Sequence, residues 1–275
     1  MSQHTDIDSF IRTHVEKTNR TNAYTTEYVI DRLRTQQPIV FTKFGDGEYQ
    51  CMNKWSGHNC DGDAYDPQLG DNLQKAFLQL CDMSYQDGTD RILLGRWHCR
   101  SEVEYYSRLY WTYQLSQGID MPKEIPFVNY HLIYFDNTDR SPLIYNLVQA
   151  IQEYPHMKIL ITNSNNIRLC HFFKVTQYIP IEPKSWSLTQ YDTIIATLRK
   201  TLSVYPHALI LIAGGLASKV LISQLSSEYP LASFLDIGSG FDYIATRTNT
   251  RTHRHRYEDE VEYYKNLLPP NWESL

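Results

Sequence analysis

Helical and strand periods alternate along this chain. Ile7, Phe10, Ile11 and Val15 share one helical face, and Tyr28, Val29 and Leu33 share another that must end before Pro38. The next residues, IVFTKFG at 39–45, lose that spacing and predict a strand. DPQLGDNLQKAFLQLC predicts a helix with Asp66 as its cap, Pro67 in its first position, and Leu69, Leu73 and Phe77 or Leu80 on one side. RILLGRW predicts a buried strand, and Ser101 with Glu104 a capping box opening a helix that reaches about Gln117. PFVNYHLIYF then predicts a strand and SPLIYNLVQAIQEY a helix.

The second half repeats the alternation more cleanly. MKILIT, a short helix from Asn166, VTQYIPI and the helix YDTIIATLRKTL are followed by HALILIAGG, LASKVLISQLSSEY and ASFLDIG. Near-continuous apolar strands separated by helices imply a Rossmann-like α/β fold, a mostly parallel sheet with helices on both faces. Ligands of such folds sit at the carboxyl ends of the strands. Here those ends read FGDGE, GRWHC, TNSNN, AGGLAS and DIGSG, glycine or polar wherever a strand stops. No repeat, low-complexity tract or Gly/Ser/Pro-rich linker divides the 275 residues. One domain is expected, with helices over 1–36, an α/β core over 37–245, and a basic segment with a helix over 246–275.

Composition narrows this only a little. A content of 42% hydrophobic and 21% charged residues is ordinary for a soluble globular protein. The net charge of -5 argues against a surface built for nucleic acid, so an anionic ligand must be met by a local cluster. No stretch approaches the roughly 18 apolar residues of a membrane span. MSQHTDIDSFIRTHVEK is polar where a signal peptide has its apolar segment, so no secretory route is expected. Five cysteines without a CxxC fit reduced thiols and a cytoplasmic location. His58, Cys60 and Cys51 lie close in sequence but lack the second ligand pair of a zinc site. The 21 tyrosines suit a carbohydrate-facing surface and half-buried core edges equally.

Candidate chemistry begins at KFGDGEY, residues 43–49. If the strand continues, Asp46 and Glu48 point the same way, and Gly45 and Gly47 leave room for a ligand to reach the backbone. Two carboxylates on one side suit Mn²⁺ or Mg²⁺ that also touches a diphosphate; the alternative is a solvated Asp-Gly turn. In AGGLASK, Gly214, Gly215 and Ser218 open a helix whose N–H groups could meet a phosphate or ribose. The same glycines could simply allow helix and sheet to pack closely. TRTNTRTHRHRYEDE gathers Arg247, Arg251, Arg254 and Arg256, either to close over phosphate or as a charged approach to the last helix. GRWHCR offers Arg96, Trp97 and His98, and the loop WSGHNCDGDAYD offers Asp61, Asp63 and Asp66 without EF-hand spacing.

DIGSG, residues 236–240, has the Asp-x-Gly-x-Gly form that opens the S-adenosylmethionine site of many methyltransferases. In that fold the motif follows the first strand, whereas here it ends the strand series.

FTKFGDGEYQCM, a strand followed by Phe-Gly-Asp-Gly-Glu, resembles the DxE-containing signature of the GT-D fold glycosyltransferases, a Rossmann-like family using nucleotide-sugar donors. LILIAGGLASKVLISQLSSEYPLASFLDIG is similar to the closing block of that family, although AGGLASK replaces the more usual Gly-Pro-Thr-Ala. The two matches span most of the chain in the right order, while residues 97–155 share no motif with it. The resemblance implies transfer of a sugar from a nucleotide diphosphate sugar, UDP by analogy, to a hydroxyl of a glycan or glycoconjugate; glucose and xylose are the candidate sugars, which the resemblance itself leaves open. It implies that Asp46 and Glu48 form the DxE pair at a metal and diphosphate site, with Asp236 and Gly238 lining the same cleft. If the transfer inverts the anomeric centre, His98, Asp61 and Asp236 are the candidates for general base. The alternatives are a DxE acid acting as that base without a metal, and a carbohydrate-binding protein without turnover on the same fold.

Overall fold

The computed structural model describes residues 22–59, 62–86, 91–96, 100–119, 127–129, 142–182, 184, 186–248 and 257–275. The first predicted helix, with Ile7 and Phe10, lies outside the described residues.

Helix α1 (Asn22–Arg34) leads into β1 (Val40–Phe44), α2 (Asp46–Met52) and α3 (Pro67–Gln86), followed by β2 (Ile92–Arg96), α4 (Arg100–Ser116) and β3 (Phe127–Asn129). The second half runs α5 (Pro142–Glu153), β4 (Lys158–Asn163), α6 (Arg168–Phe172), β5 (Gln177–Ile181), α7 (Trp186–Thr189) and α8 (Tyr191–Val204). It closes with β6 (Leu209–Ala213), α9 (Ala217–Glu228), β7 (Ser233–Asp236), α10 (Asp242–Thr246) and α11 (Tyr257–Tyr264).

The described strands form one seven-stranded sheet in the order β3-β2-β1-β7-β6-β4-β5, and every pairing is parallel. Strand alternation divides the apolar side chains between two faces. Ile210 and Ile212 join one core with α2, α3, α4, α8 and α9 residues, and Leu209 and Leu211 the other with α1, α5, α6 and α10 residues. Covering both faces buries β1, β4, β6 and β7, which is why they read as apolar runs rather than alternating ones.

Local signals hold in most places. The Leu69 amide donates to Asp66 Oδ1 at 2.9 Å, so Asp66 caps α3 as expected. α4 begins at Arg100, which puts Ser101 inside the first turn rather than at the predicted cap. The larger departure is at FGDGE. Gly45 ends the strand and Asp46 opens a helix, so the extended spacing expected over 46–48 is not what forms.

Because β7, last in the chain, sits between β1 and β6, the turns after these three strands meet at one edge of the sheet. The chain runs outward from β1 to β3 on one side and returns through β4 and β6 on the other. That reversal of strand order is where open α/β sheets leave a crevice.

Candidate functional site at the carboxyl edge of the sheet

The helical start of α2 separates the two acids. Residues two apart on a helix face roughly 200° away from each other. Asp46 is exposed, and Glu48 is 7% exposed. Glu48 folds back so that Oε2 accepts from the Gly45 amide at 2.9 Å, the glutamate half of a capping box. Its Oε1 lies 3.1 Å from Lys219 Nζ.

Lys219, in the first turn of α9, is the hub of this edge. Its ammonium also lies 3.0 Å from Asp236 Oδ2 and donates to the Gly215 carbonyl at 3.1 Å and to Ser218 Oγ at 3.4 Å. Asp236 accepts in addition from the Lys43 amide at 3.4 Å and the Gly238 amide at 3.1 Å. Burial works against the ammonium, but Asp236 and Glu48 outweigh it and raise the Lys219 pKa. Burial likewise disfavours the Asp236 carboxylate, yet Lys219 and Lys43 hold it below the usual aspartate range. Gly238, at φ 48, gives the Lys43 ammonium its place, since a Cβ there would strike Lys43 Nζ. Strands β1 and β7 and helices α2 and α9 are thereby tied together by two acids and two lysines.

The glycine turn after β6 is filled by the protein itself. Trp186 Nε1 donates to the Gly214 carbonyl at 2.8 Å. Gly215 has φ 61, and the Asp63 carboxylate lies where its Cβ would be. Asp63 is held there by Asn59, whose Nδ2 donates to Oδ2 at 3.0 Å. The Ser218 hydroxyl donates to the Gly215 carbonyl at 2.6 Å. Internal contacts thus surround Gly214, Gly215 and Ser218, and the Asp63 carboxylate stands at the start of α9. Gly47 approaches Asn59 and Leu216 from the other side, so the α2 and α9 starts, far apart in sequence, are neighbours in space.

Helix α4 adds an acid that motif reading passed over. Glu102 lies in its first turn and is 6% exposed, and Oε2 has no hydrogen-bond partner among the described residues. One turn on, the Tyr106 hydroxyl donates to the Gly45 carbonyl at 3.2 Å, and Tyr105 meets Tyr49 edge to face at 5.0 Å between centroids. These contacts seat α4 against the β1–α2 junction. Burial first, then the Asp46 and Glu48 carboxylates, push the Glu102 carboxyl up to about 7.

Arg247 ends α10 and turns away from this cluster. Its Nη2 donates to the Glu273 carbonyl at 2.5 Å, and its guanidinium stands 5.8 Å from the Tyr257 ring centre. His98, Asp61, Arg251, Arg254 and Arg256 lie outside the described residues. Of the predicted residues, Asp46, Glu48, Gly45, Gly47, Gly215, Ser218, Asp236 and Gly238 come together, with Gly214 adjoining Gly215; Lys43, Lys219 and Glu102 are the additions.

A parallel α/β sheet with its charged side chains gathered at the carboxyl edge defines a Rossmann-like domain. No protein-family model matches the chain, and no curated protein matches its sequence. Solved structures do match. A selenomethionine-substituted structure of domain of unknown function 1792 (DUF1792) gives a TM-score of 0.56 at 17% identity, over 96% of this chain and 94% of that one. A second DUF1792 structure, described as having a distinct glycosyltransferase fold, gives 0.55 at 18% identity, over 96% and 94%. A glycosyltransferase (DUF1792) from Streptococcus sanguinis gives 0.54 at 15% identity, over 94% and 97%. The chain has the fold of these DUF1792 structures, the GT-D glycosyltransferase fold that its sequence resembles.

Proposed function

We propose that this protein is a glycosyltransferase that moves a sugar from a nucleoside diphosphate sugar to a hydroxyl of a glycan or glycoconjugate. The observation that carries this reading is the convergence of the β1, β6 and β7 ends on one buried charged cluster, Lys43, Glu48, Lys219 and Asp236, within a fold shared along nearly the whole chain with a glycosyltransferase. UDP is the proposed carrier, with glucose or xylose as the sugar. A cytoplasmic setting is proposed with it. No described helix is long and apolar enough to cross a membrane.

In this reading Glu48 and Asp236 hold Lys219, and the paired charges fix the crevice walls before substrate arrives, so that little reorganisation is needed during reaction. Asp236 is not suited to accept a proton, because burial is outweighed by two lysines that keep it ionised. The Mn²⁺ or Mg²⁺ that the DxE resemblance implies would be held by the exposed Asp46 together with phosphate oxygens of the donor. Both oxygens of Glu48 and both of Asp236 are already engaged. No group of three or more His, Cys, Asp or Glu among the described residues could hold a metal ion. The basic run Arg251, Arg254 and Arg256 is the proposed source of positive charge for the leaving diphosphate.

A thermal-shift screen of nucleoside diphosphates and nucleotide sugars, with and without Mn²⁺, tests the reading, since a ligand that binds the native state raises its apparent stability. UDP is expected to raise the melting temperature. No shift with any nucleoside diphosphate would end the proposal, and saccharide affinity without nucleotide affinity would favour a binding protein instead.

A further inference from the structure

We propose that Glu102 is the general base of the transfer, the group that takes the proton from the acceptor hydroxyl; this rests on the glycosyltransferase reading above. Three observations lead to it. Glu102 is more than nine-tenths buried, and one of its oxygens lacks a partner, an arrangement that costs free energy unless a ligand supplies the missing hydrogen bond. Its helix begins at the carboxyl edge of the sheet, where β2 ends. Tyr106, one turn along on the same face, is bonded to Gly45, which puts Glu102 beside the turn that bears Asp46 and Glu48.

The other described acids at this edge are unsuitable. Glu48 and Asp236 are committed to Lys219, and Asp63 to Asn59 and the start of α9. Asp46 is exposed to water. Glu102 alone of these is buried with an oxygen that lacks a partner among the described residues.

The step balances as a single displacement. The acceptor O–H bond breaks and its proton passes to Glu102 Oε2 as the acceptor oxygen bonds to the anomeric carbon. The bond from that carbon to the diphosphate oxygen breaks, its electron pair leaves with the nucleoside diphosphate, and the anomeric configuration inverts.

The test compares wild type, Glu102→Gln and Glu102→Asp. UDP binding is read by thermal shift and transfer from UDP-glucose and UDP-xylose by release of UDP in the presence of a panel of saccharides. Glutamine keeps the shape but cannot take a proton, so Glu102→Gln is expected to give a wild-type UDP shift with transfer reduced by about 100-fold or more. Partial activity in Glu102→Asp and an inverted product anomer in the wild type complete the expected pattern. Transfer by Glu102→Gln within about threefold of an active wild type would overturn the assignment and leave the glycosyltransferase reading intact. A wild type that neither binds UDP nor consumes a nucleotide sugar would overturn both.

Discussion

Asp236 and Glu102 are both buried carboxylic acids near the carboxyl edge of the sheet, and their surroundings drive them in opposite directions. Asp236 closes β7, is fully buried and is held ionised by Lys219 and Lys43. Glu102 lies in the first turn of α4 and is pushed up to about 7, by burial first and then by Asp46 and Glu48. A negative charge in the first helical turn is ordinarily favoured by the helix dipole, and here that effect is overruled. The contrast teaches that burial alone does not decide whether an acid is structural or chemical. The partner decides: a paired carboxylate holds strands and helices in register, while an unpaired one remains available to a proton.

The largest expected effect breaks the paired side. Lys219→Met removes the ammonium from between Glu48 and Asp236 and strands two buried acids. Breaking a buried pair in this way costs about 3–5 kcal/mol, to be measured by urea unfolding near neutral pH. The Asp236 pKa is depressed in the folded state. Its contribution is therefore present above the unfolded aspartate pKa and lost as pH falls through the folded one. The deficit of Lys219→Met should accordingly shrink in acid. A deficit below about 1 kcal/mol at neutral pH would mean that the cluster is not what joins β1, β7 and α9.

A smaller effect of opposite sign sharpens the unpaired side. Glu102 rises from an ordinary 4.5 to about 7 on folding. Below 4.5 it is neutral in both states and changes nothing. Between the two values only the unfolded chain ionises, so stability falls as pH rises, and above 7 the folded protein carries the full penalty. The gap corresponds to at most about 3.5 kcal/mol. Asp46 and Glu48, both on α2, act on Glu102 after burial. Glu102→Gln cannot ionise, so its melting temperature should exceed that of wild type above pH 7 and converge with it below pH 4.5. A pH-independent difference would remove the contrast with Asp236.

Much of the architecture was legible because burial on both faces writes strands as apolar runs. IVFTKFG, MKILIT, HALILIAGG and ASFLDIG each became a strand of the sheet. The FGDGE turn was harder, since alternation and a short glycine-containing helix compete over the same five residues. With glycine in place of a serine or threonine cap, the Glu48 half of the capping box leaves little trace in sequence. Lys43 did carry a signal, a charge inside an apolar strand that requires a buried partner. Glu102 carried none, because an acid in a first helical turn is commonplace. The occupants of the glycine turn, Trp186 and Asp63, lie far from it in sequence, and only the fold brings them there.

The smallest expected effect concerns the basic segment, which the sequence offered either as a cover for phosphate or as a charged approach to the last helix. Arg247 spends its guanidinium on the Glu273 carbonyl and stands 3.6 Å from the Glu273 carboxylate. Its side chain is 43% exposed. An exposed pair of this kind contributes about 0–1 kcal/mol, so Arg247→Ala should unfold within about 1 kcal/mol of wild type. UDP affinity, measured by calorimetric titration, should stay within about twofold, because this group faces the C-terminal segment rather than the Lys219 cluster. A tenfold loss of affinity would mean instead that Arg247 reaches the donor phosphates. The positive charge at the site would then come from both the buried lysines and the end of α10.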